Sequence, residues 1–161
     1  MEDHPFKVST IINDTISTSA LIDSGCLTYG VIDSRFAAKH RLPRIQCGPY
    51  PLQSIERVAE GAIREAAYAK VDVGGRVTRT AYFYVVPKIE GYSIILGRRW
   101  MRLEQAVKDV TAGTLMFKDT GMVIHEEQQE RYDHRPINGA GFSLLTQGKA
   151  RKKVKVFVSR Y

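Results

Sequence analysis

The chain has 161 residues, of which 43% are hydrophobic and 25% are charged, so it has the length and composition of one ordinary folded domain. Its formal net charge is +7, but six basic residues lie after Leu145 with no acidic residue among them: Lys149, Arg151, Lys152, Lys153, Lys155 and Arg160. The rest of the chain is close to neutral, which argues against a basic nucleic-acid groove across the folded part.

The composition also argues against a membrane segment, a leader peptide and a metal site. No apolar run reaches the roughly 18–20 residues of a membrane helix. The first residues include Glu2 and Asp3 and have no apolar core, unlike a signal peptide. Cys26 and Cys47 lack metal-ligand spacing, and so do the four histidines. We therefore expect a soluble, cytoplasmic protein that needs no metal and no cofactor.

Short β-branched runs separated by glycines and prolines predict a mostly β domain. In chain order, strands are predicted at 8–12, 15–23 and 31–32, followed by a helix at 35–41 with an N-cap at Asp33 and Ser34. Residues 44–61 are predicted as a loop and a mobile hairpin. Strands at 71–73 and 77–86 follow, joined by a tight Gly74-Gly75 turn. The last predicted elements are a strand at 92–96, a helix at 98–103 and a hairpin of 106–110 with 114–117.

The composition becomes polar beyond Gly121. We therefore predict a domain at 1–120, a polar linker at 121–136 and a C-terminal extension at 137–161. The extension contains an apolar patch at 137–145 and a strand-like run at 154–158 behind a basic stretch.

The segment most indicative of chemistry is Ala20-Leu21-Ile22-Asp23-Ser24-Gly25-Cys26. An acidic residue directly after three apolar ones is unusual at a buried strand end, and it would deliver a carboxylate rigidly to a cleft. Alone, Asp-Ser-Gly is more often a simple turn. A second segment, Tyr92-Ser93-Ile94-Ile95-Leu96-Gly97-Arg98, also runs through apolar residues to a glycine, at the separation that a single lobe requires.

Together these motifs resemble the protease domain of gypsy-type long-terminal-repeat retrotransposons, over residues 8–117. The resemblance includes the Val-Ile-Asp-Ser helix start, the Tyr-Phe-Tyr-Val-Val-Pro strand and Ile-Leu-Gly-Arg-Arg-Trp-Met. Residues 137–158 are similar to the segment that leads toward reverse transcriptase in such polyproteins. The resemblance implies a single-lobe, retropepsin-like closed β-barrel with short helices, active as a symmetric homodimer.

The resemblance also assigns roles to individual residues. Asp23 is the catalytic aspartate, Ser24 braces the two Asp-bearing loops across the dimer, and Gly25 forms the family's turn. The apolar-apolar-Gly segment that packs behind the catalytic loop is Ile95, Leu96 and Gly97. The substrate-covering flap is expected within 53–63, with Gly61 near its tip beside Ala59 and Glu60. Cys26 departs from the alanine most common in the family.

The implied activity is that of an aspartic endopeptidase. Two carboxylates are needed and the chain has one Asp-Ser-Gly, so the second must come from a partner copy. The implied substrate is an extended, mostly apolar segment of a Gag-Pol polyprotein, in the cytoplasm or within virus-like particles. Asp33 and Asp109 are better explained as a helix cap and a polar hairpin residue than as a second catalytic acid. Trp100 is expected in the core.

Two alternatives stay open at the level of sequence. In the first, the domain is a catalytically inactive dimerisation or interaction module. In the second, the basic C-terminal tail binds nucleic acid through sequence-independent contacts to phosphates. Neither alternative explains the spacing of the two apolar motifs.

Overall fold

The computed structural model describes residues 4–52 and 61–128. The strands in this part are β1 (Lys7–Ile12), β2 (Ile16–Ile22), β3 (Gly30–Asp33), β4 (Arg44–Pro51), β5 (Ala62–Val73), β6 (Arg76–Val86), β7 (Ile94–Leu96), β8 (Ala106–Asp109), β9 (Thr114–Phe117) and β10 (Met122–His125). The helices are α1 (Ser34–Lys39) and α2 (Arg98–Leu103). Neither described helix has the length and apolar character needed to span a membrane.

Seven strands form one sheet in the order β1-β2-β7-β3-β6-β5-β4. A further pairing of β1 with β5 closes six of them into a barrel, and β4 is added outside on β5. The other three strands form a small antiparallel sheet in the order β10-β9-β8. The predicted mostly β class with a closed barrel and short helices is therefore confirmed.

The β5–β6 hairpin is the longest unit of the barrel, and its turn forms as the sequence predicts. Gly74 and Gly75 have φ values of 59° and 101°, which glycine adopts without a Cβ penalty. The carboxylate of Asp72 accepts a hydrogen bond from the Gly75 amide at 2.7 Å. The turn residues thus set the register of the two longest strands.

Inward-facing side chains fill the barrel in two apolar clusters. The larger includes Trp100, which is buried and packs edge-on against Phe117 with ring centroids 6.1 Å apart. This agrees with the core position predicted for Trp100. The smaller cluster contains Leu21, Cys26 and Ile95, and it packs the loop that carries Asp23 against strands β2 and β7.

Two strands depart from the sequence prediction. β4 occupies part of the region predicted as loop and mobile hairpin: 44–46 pair with 65–67, and a register shift precedes Tyr50. This strand is mostly exposed and contains Gly48, Pro49 and Pro51, so it lacks the apolar alternation of a typical strand. Its pairing with the long β5 strand determines its conformation.

The second difference is β10, which lies within the segment predicted as a linker and pairs with β9. Alternate residues of β10 are half-buried, and Met122 and Ile124 pack against the larger core cluster. The first compact unit of the chain runs to Glu127. The second half of the predicted linker, 129–136, and all of the predicted C-terminal extension lie outside the described residues.

Candidate active site

The position of Asp23 follows from the parallel pairing of two buried strand ends. Leu21 is in register with Ile95, and Ile22 with Leu96. The main chain then leaves the sheet at Asp23, whose amide donates to the Leu96 carbonyl at 3.0 Å. The apolar run before Asp23 is therefore buried, and it fixes the start of the loop that carries the carboxylate.

A tight turn follows and orients the Asp23 carboxylate. The Gly25 amide donates to Asp23 Oδ1 at 2.8 Å, and the Cys26 amide donates to the Asp23 carbonyl at 3.1 Å. Asp23 and Ser24 are half-buried, whereas Gly25 is exposed. A Cβ atom at Gly25 would lie 3.1 Å from Asp23 Oδ1, so glycine leaves room for the carboxylate in this turn.

Gly97 allows a second backbone segment to pack directly behind the Asp23 loop. A Cβ atom there would meet the carbonyl oxygens of Thr28 and Cys26, the latter at 2.7 Å. The Gly97 amide donates to the Tyr29 carbonyl at 2.8 Å, and the Arg98 amide donates to the Cys26 carbonyl at 2.7 Å. The structure thus places Ile95, Leu96 and Gly97 beside the loop.

Two cationic side chains reach main-chain carbonyls on either side of Asp23. Arg98 Nε donates to the Ser24 carbonyl at 3.0 Å, and Lys108 Nζ donates to the Ile22 carbonyl at 3.1 Å. Sequence reasoning assigned a role to neither residue. Arg98 adjoins the Ile-Leu-Gly motif, which is a local signal, but the contact of Lys108 depends on how the β8–β9 hairpin packs on the barrel.

Cys26 is a buried thiol within this loop. Its Sγ lies 3.4 Å from Thr28 Oγ1. Burial raises the pKa of the Cys26 thiol above its ordinary value, which keeps the sulfur protonated at neutral pH. Cys26 therefore packs as a small apolar residue, and both Cys26 and Cys47 are free thiols.

The predicted flap is described only at its ends. Ala59 and Glu60 lie outside the described residues, and Gly61 is exposed with φ 155° just before β5. The flanking residues Leu52 and Ile63 belong to the same apolar cluster as Leu21 and Cys26. The segment that the sequence predicts as flap therefore starts and ends on the cluster beneath the Asp23 loop.

Asp33 is the helix cap that the sequence predicts, and its carboxylate has several donors. It accepts from the Arg35 amide at 2.8 Å, from the Arg35 side chain at 3.0 and 2.7 Å, and from the Ile89 amide at 3.0 Å. Burial disfavours its ionised form, but these hydrogen bonds outweigh burial and lower the pKa of Asp33 to about 2. Asp33 is thus a fixed structural anion.

Two other aspartates also have structural contacts. Asp109 accepts from the Ala112 amide at 3.0 Å in the exposed β8–β9 turn, which agrees with its predicted role. Asp119-Thr120-Gly121 repeats the Asp-hydroxyl-Gly pattern, a tripeptide to which sequence reasoning gave no attention. Both Asp119 carboxylate oxygens accept from Arg76 at 2.8 Å, and these hydrogen bonds lower the pKa of Asp119. Its carboxylate is engaged in an ion pair in the β9–β10 turn.

The described residues contain no cluster of three or more His, Cys, Asp or Glu side chains suited to a metal ion. The chemistry available at Asp23 is that of one carboxylate at the end of a rigid strand. A single carboxylate can act as base or as acid in proton transfer but cannot do both at once. A second such group, facing the first, would supply the missing function.

Comparison with solved structures supports the fold. The retroviral protease-like domain of Ddi1 from Leishmania major matches with a TM-score of 0.54 and 16% identity, over 79% of this chain and 96% of that domain. The EIAV protease in complex with the inhibitor HBY-793 matches with a TM-score of 0.48 and 17% identity, over 62% of this chain and 88% of the protease. The fold is retropepsin-like. Sequence comparison with protein-family models and with curated proteins finds no match.

The loop that carries Asp23 leaves the barrel at the ends of the parallel strands β2 and β7. Asp33, at the end of β3, lies on a second apolar strand end but is enclosed by its own donors.

Proposed function

We propose that this chain is an aspartic endopeptidase of the retropepsin type that acts as a symmetric homodimer. The observation that carries the proposal is the placement of Asp23 in a retropepsin-like barrel. Asp23 follows a buried strand end, and its carboxylate is held by the Gly25 amide in a loop that Gly97 supports. Asp33, which also ends a buried strand, has a carboxylate that is engaged in an ion pair with Arg35.

The reaction needs two such carboxylates, one from each copy. Two carboxylates in close contact cannot both ionise readily, so the pair shares one proton. One aspartate removes a proton from a water molecule, which attacks the peptide carbonyl. The other protonates the carbonyl oxygen and later the leaving amine. No metal or cofactor takes part in this scheme.

The substrate is proposed to be an extended polypeptide with apolar side chains. Such a segment binds as an added strand, with hydrogen bonds from its main chain and alternate side chains in pockets. The motif resemblance to gypsy-type retrotransposons supports a Gag-Pol polyprotein as the natural substrate and the cytoplasm or a virus-like particle as the location. The test must distinguish this endopeptidase from a catalytically inactive dimerisation module.

The proposal is tested by incubating the purified chain with an unfolded polypeptide rich in apolar residues, across the range from acidic to neutral pH. We expect internal cleavage that pepstatin, a transition-state inhibitor, abolishes. At low concentration the rate should rise with the square of the chain concentration, since two copies form one site. A folded dimer that cleaves nothing at any pH would contradict the proposal and favour the inactive module.

A further inference from the structure

Lys108 is a half-buried cation behind the Asp23 loop. It lies in β8, opposite the buried Leu115 of β9, so its side chain points toward the barrel rather than toward solvent. The ammonium donates to the Ile22 carbonyl at 3.1 Å and lies 5.8 Å from the centroid of the Phe6 ring. Its surroundings are therefore an aromatic face and a peptide oxygen.

Partial burial of an ammonium group is costly unless a partner compensates for the lost water. Salt bridges within 4–52 and 61–128 involve several lysines, including Lys7, Lys70 and Lys88, but not Lys108. The partner of Lys108 is instead the carbonyl of the peptide that joins Ile22 to Asp23. A cation placed in this way acts on the backbone at the candidate catalytic residue.

The contact completes a set of hydrogen bonds around one residue. The Asp23 amide donates to Leu96, and the Asp23 carbonyl accepts from Cys26. The preceding carbonyl accepts from Lys108, and the following one, of Ser24, accepts from Arg98. The peptide plane before Asp23 is thus held on its N–H side by β7 and on its oxygen side by β8, both of which are far from Asp23 in sequence.

We propose that Lys108 is a positioning residue for Asp23, an inference that rests on the proposed endopeptidase function. Its ammonium fixes the Ile22–Asp23 peptide plane and so fixes the direction in which the Asp23 carboxylate leaves the main chain. Catalysis by two facing carboxylates depends on their mutual geometry, and a shift of about 1 Å at such a site can cost as much as roughly a hundredfold in rate.

The test compares Lys108→Met, which keeps the chain length and removes the donor, with Lys108→Arg, which keeps the charge and the donor. Lys118→Met is the matched control, because Lys118 is an exposed lysine of the same small sheet region. In Lys108→Met we expect kcat to fall about tenfold while KM changes less than about twofold, because the altered geometry affects the reacting groups and not substrate binding. Lys108→Arg should recover most of the loss, and Lys118→Met should match the wild type.

A second readout does not need activity. The Asp23 amide should exchange its hydrogen at least about tenfold faster in Lys108→Met, while amides of the β5–β6 hairpin keep the wild-type rate. If the wild type cleaves nothing, the proposed function fails, and this exchange measurement still decides the role of Lys108. Equal Asp23 exchange in Lys108→Met and Lys118→Met would overturn the proposal. So would a Lys108→Arg variant as slow as Lys108→Met.

Discussion

The chain contains the same tripeptide, Ile-Asp-Ser, at the ends of two barrel strands that both pair with β7, and the two copies have different surroundings. Ile22 is the last residue of β2, and Asp33 is the last residue of β3. Each aspartate amide donates to a main-chain carbonyl of the β7 segment, Asp23 to Leu96 at its end and Asp33 to Ser93 just before its start. Because β2 runs parallel to β7 and β3 runs antiparallel to it, the two aspartates lie at opposite ends of β7.

They differ in what reaches the carboxylate. The Asp33 side chain is 4% exposed and accepts four hydrogen bonds, from Arg35 and from the Ile89 amide. Within the described part of the chain, the hydrogen bond to the Asp23 carboxylate comes from the Gly25 amide. The residue two positions after the aspartate decides the difference: Arg35 closes on Asp33, while Gly25 has no side chain with which to close on Asp23.

The comparison teaches that an apolar strand end places a carboxylate but does not give it a function. A carboxylate whose donors are all provided by its own fold is a structural anion. One that retains unused acceptor positions can take part in proton transfer. Three experiments separate the two aspartate loops further, in order of decreasing expected effect.

The largest expected effect is at the glycine behind the Asp23 loop. Gly97→Ala should lower the free energy of unfolding by about 3 kcal/mol, because the new methyl group would meet the backbone carbonyls of Cys26 and Thr28. Chemical denaturation measures the loss. Gly91→Ala, near the Asp33 loop, is the control: a Cβ there has no neighbour within 4 Å, so only its φ of 83° opposes the change. Equal losses of unfolding free energy in both variants would contradict close packing at Gly97.

The next largest effect is expected at Asp33, whose carboxylate accepts hydrogen bonds from Arg35 and from the Ile89 amide. Asp33→Asn should lower the free energy of unfolding by about 2–3 kcal/mol, because it removes charge-assisted hydrogen bonds from a buried position. Asp109→Asn is the matched control, since Asp109 is an exposed carboxylate that accepts from one amide. It should change stability by less than about 0.5 kcal/mol. An Asp33→Asn variant as stable as Asp109→Asn would show that Asp33 is not a structural anion.

The pH dependence of stability should reflect the titration of the Asp33 carboxylate. The pKa of Asp33 is lowered from 3.8 to about 2 in the folded state, so its stabilising charge is fully present above about pH 4 and is lost as the pH falls toward 2. The difference in unfolding free energy between wild type and Asp33→Asn should shrink by about 2 kcal/mol over this window. Urea unfolding at pH 6, 4, 3 and 2 measures it. A difference that stays constant would contradict the lowered pKa.

Much of the site could be predicted from sequence because its signals are local. The strand before Asp23, the Gly74-Gly75 turn and the helix after Gly97 each depend on a few adjacent residues, and the structure has all of them. β4 and β10 could not be predicted in this way. β4 contains Gly48, Pro49 and Pro51 and is stabilised by pairing with β5, while β10 has only four residues before a charged segment.

The contacts made by side chains from distant elements were also beyond sequence reasoning. Lys108 reaches Ile22 across 86 positions of the chain, and Ile89 donates to Asp33 across 56. No local pattern marks either residue, because both contacts depend on how separately formed elements pack. The sequence therefore predicted which carboxylate is the candidate but not the groups that hold it.

The most direct test of the central claim measures cleavage and stability together in Asp23→Asn and Asp33→Asn, at equal concentrations of folded chain. We expect Asp23→Asn to lose at least about 10²–10⁴-fold in kcat/KM with unchanged unfolding free energy, because it removes the acid–base group and little else. Asp33→Asn should lose stability and keep most of its activity once corrected for the folded fraction. Retained cleavage in Asp23→Asn would contradict the assignment of the open carboxylate as the catalytic one.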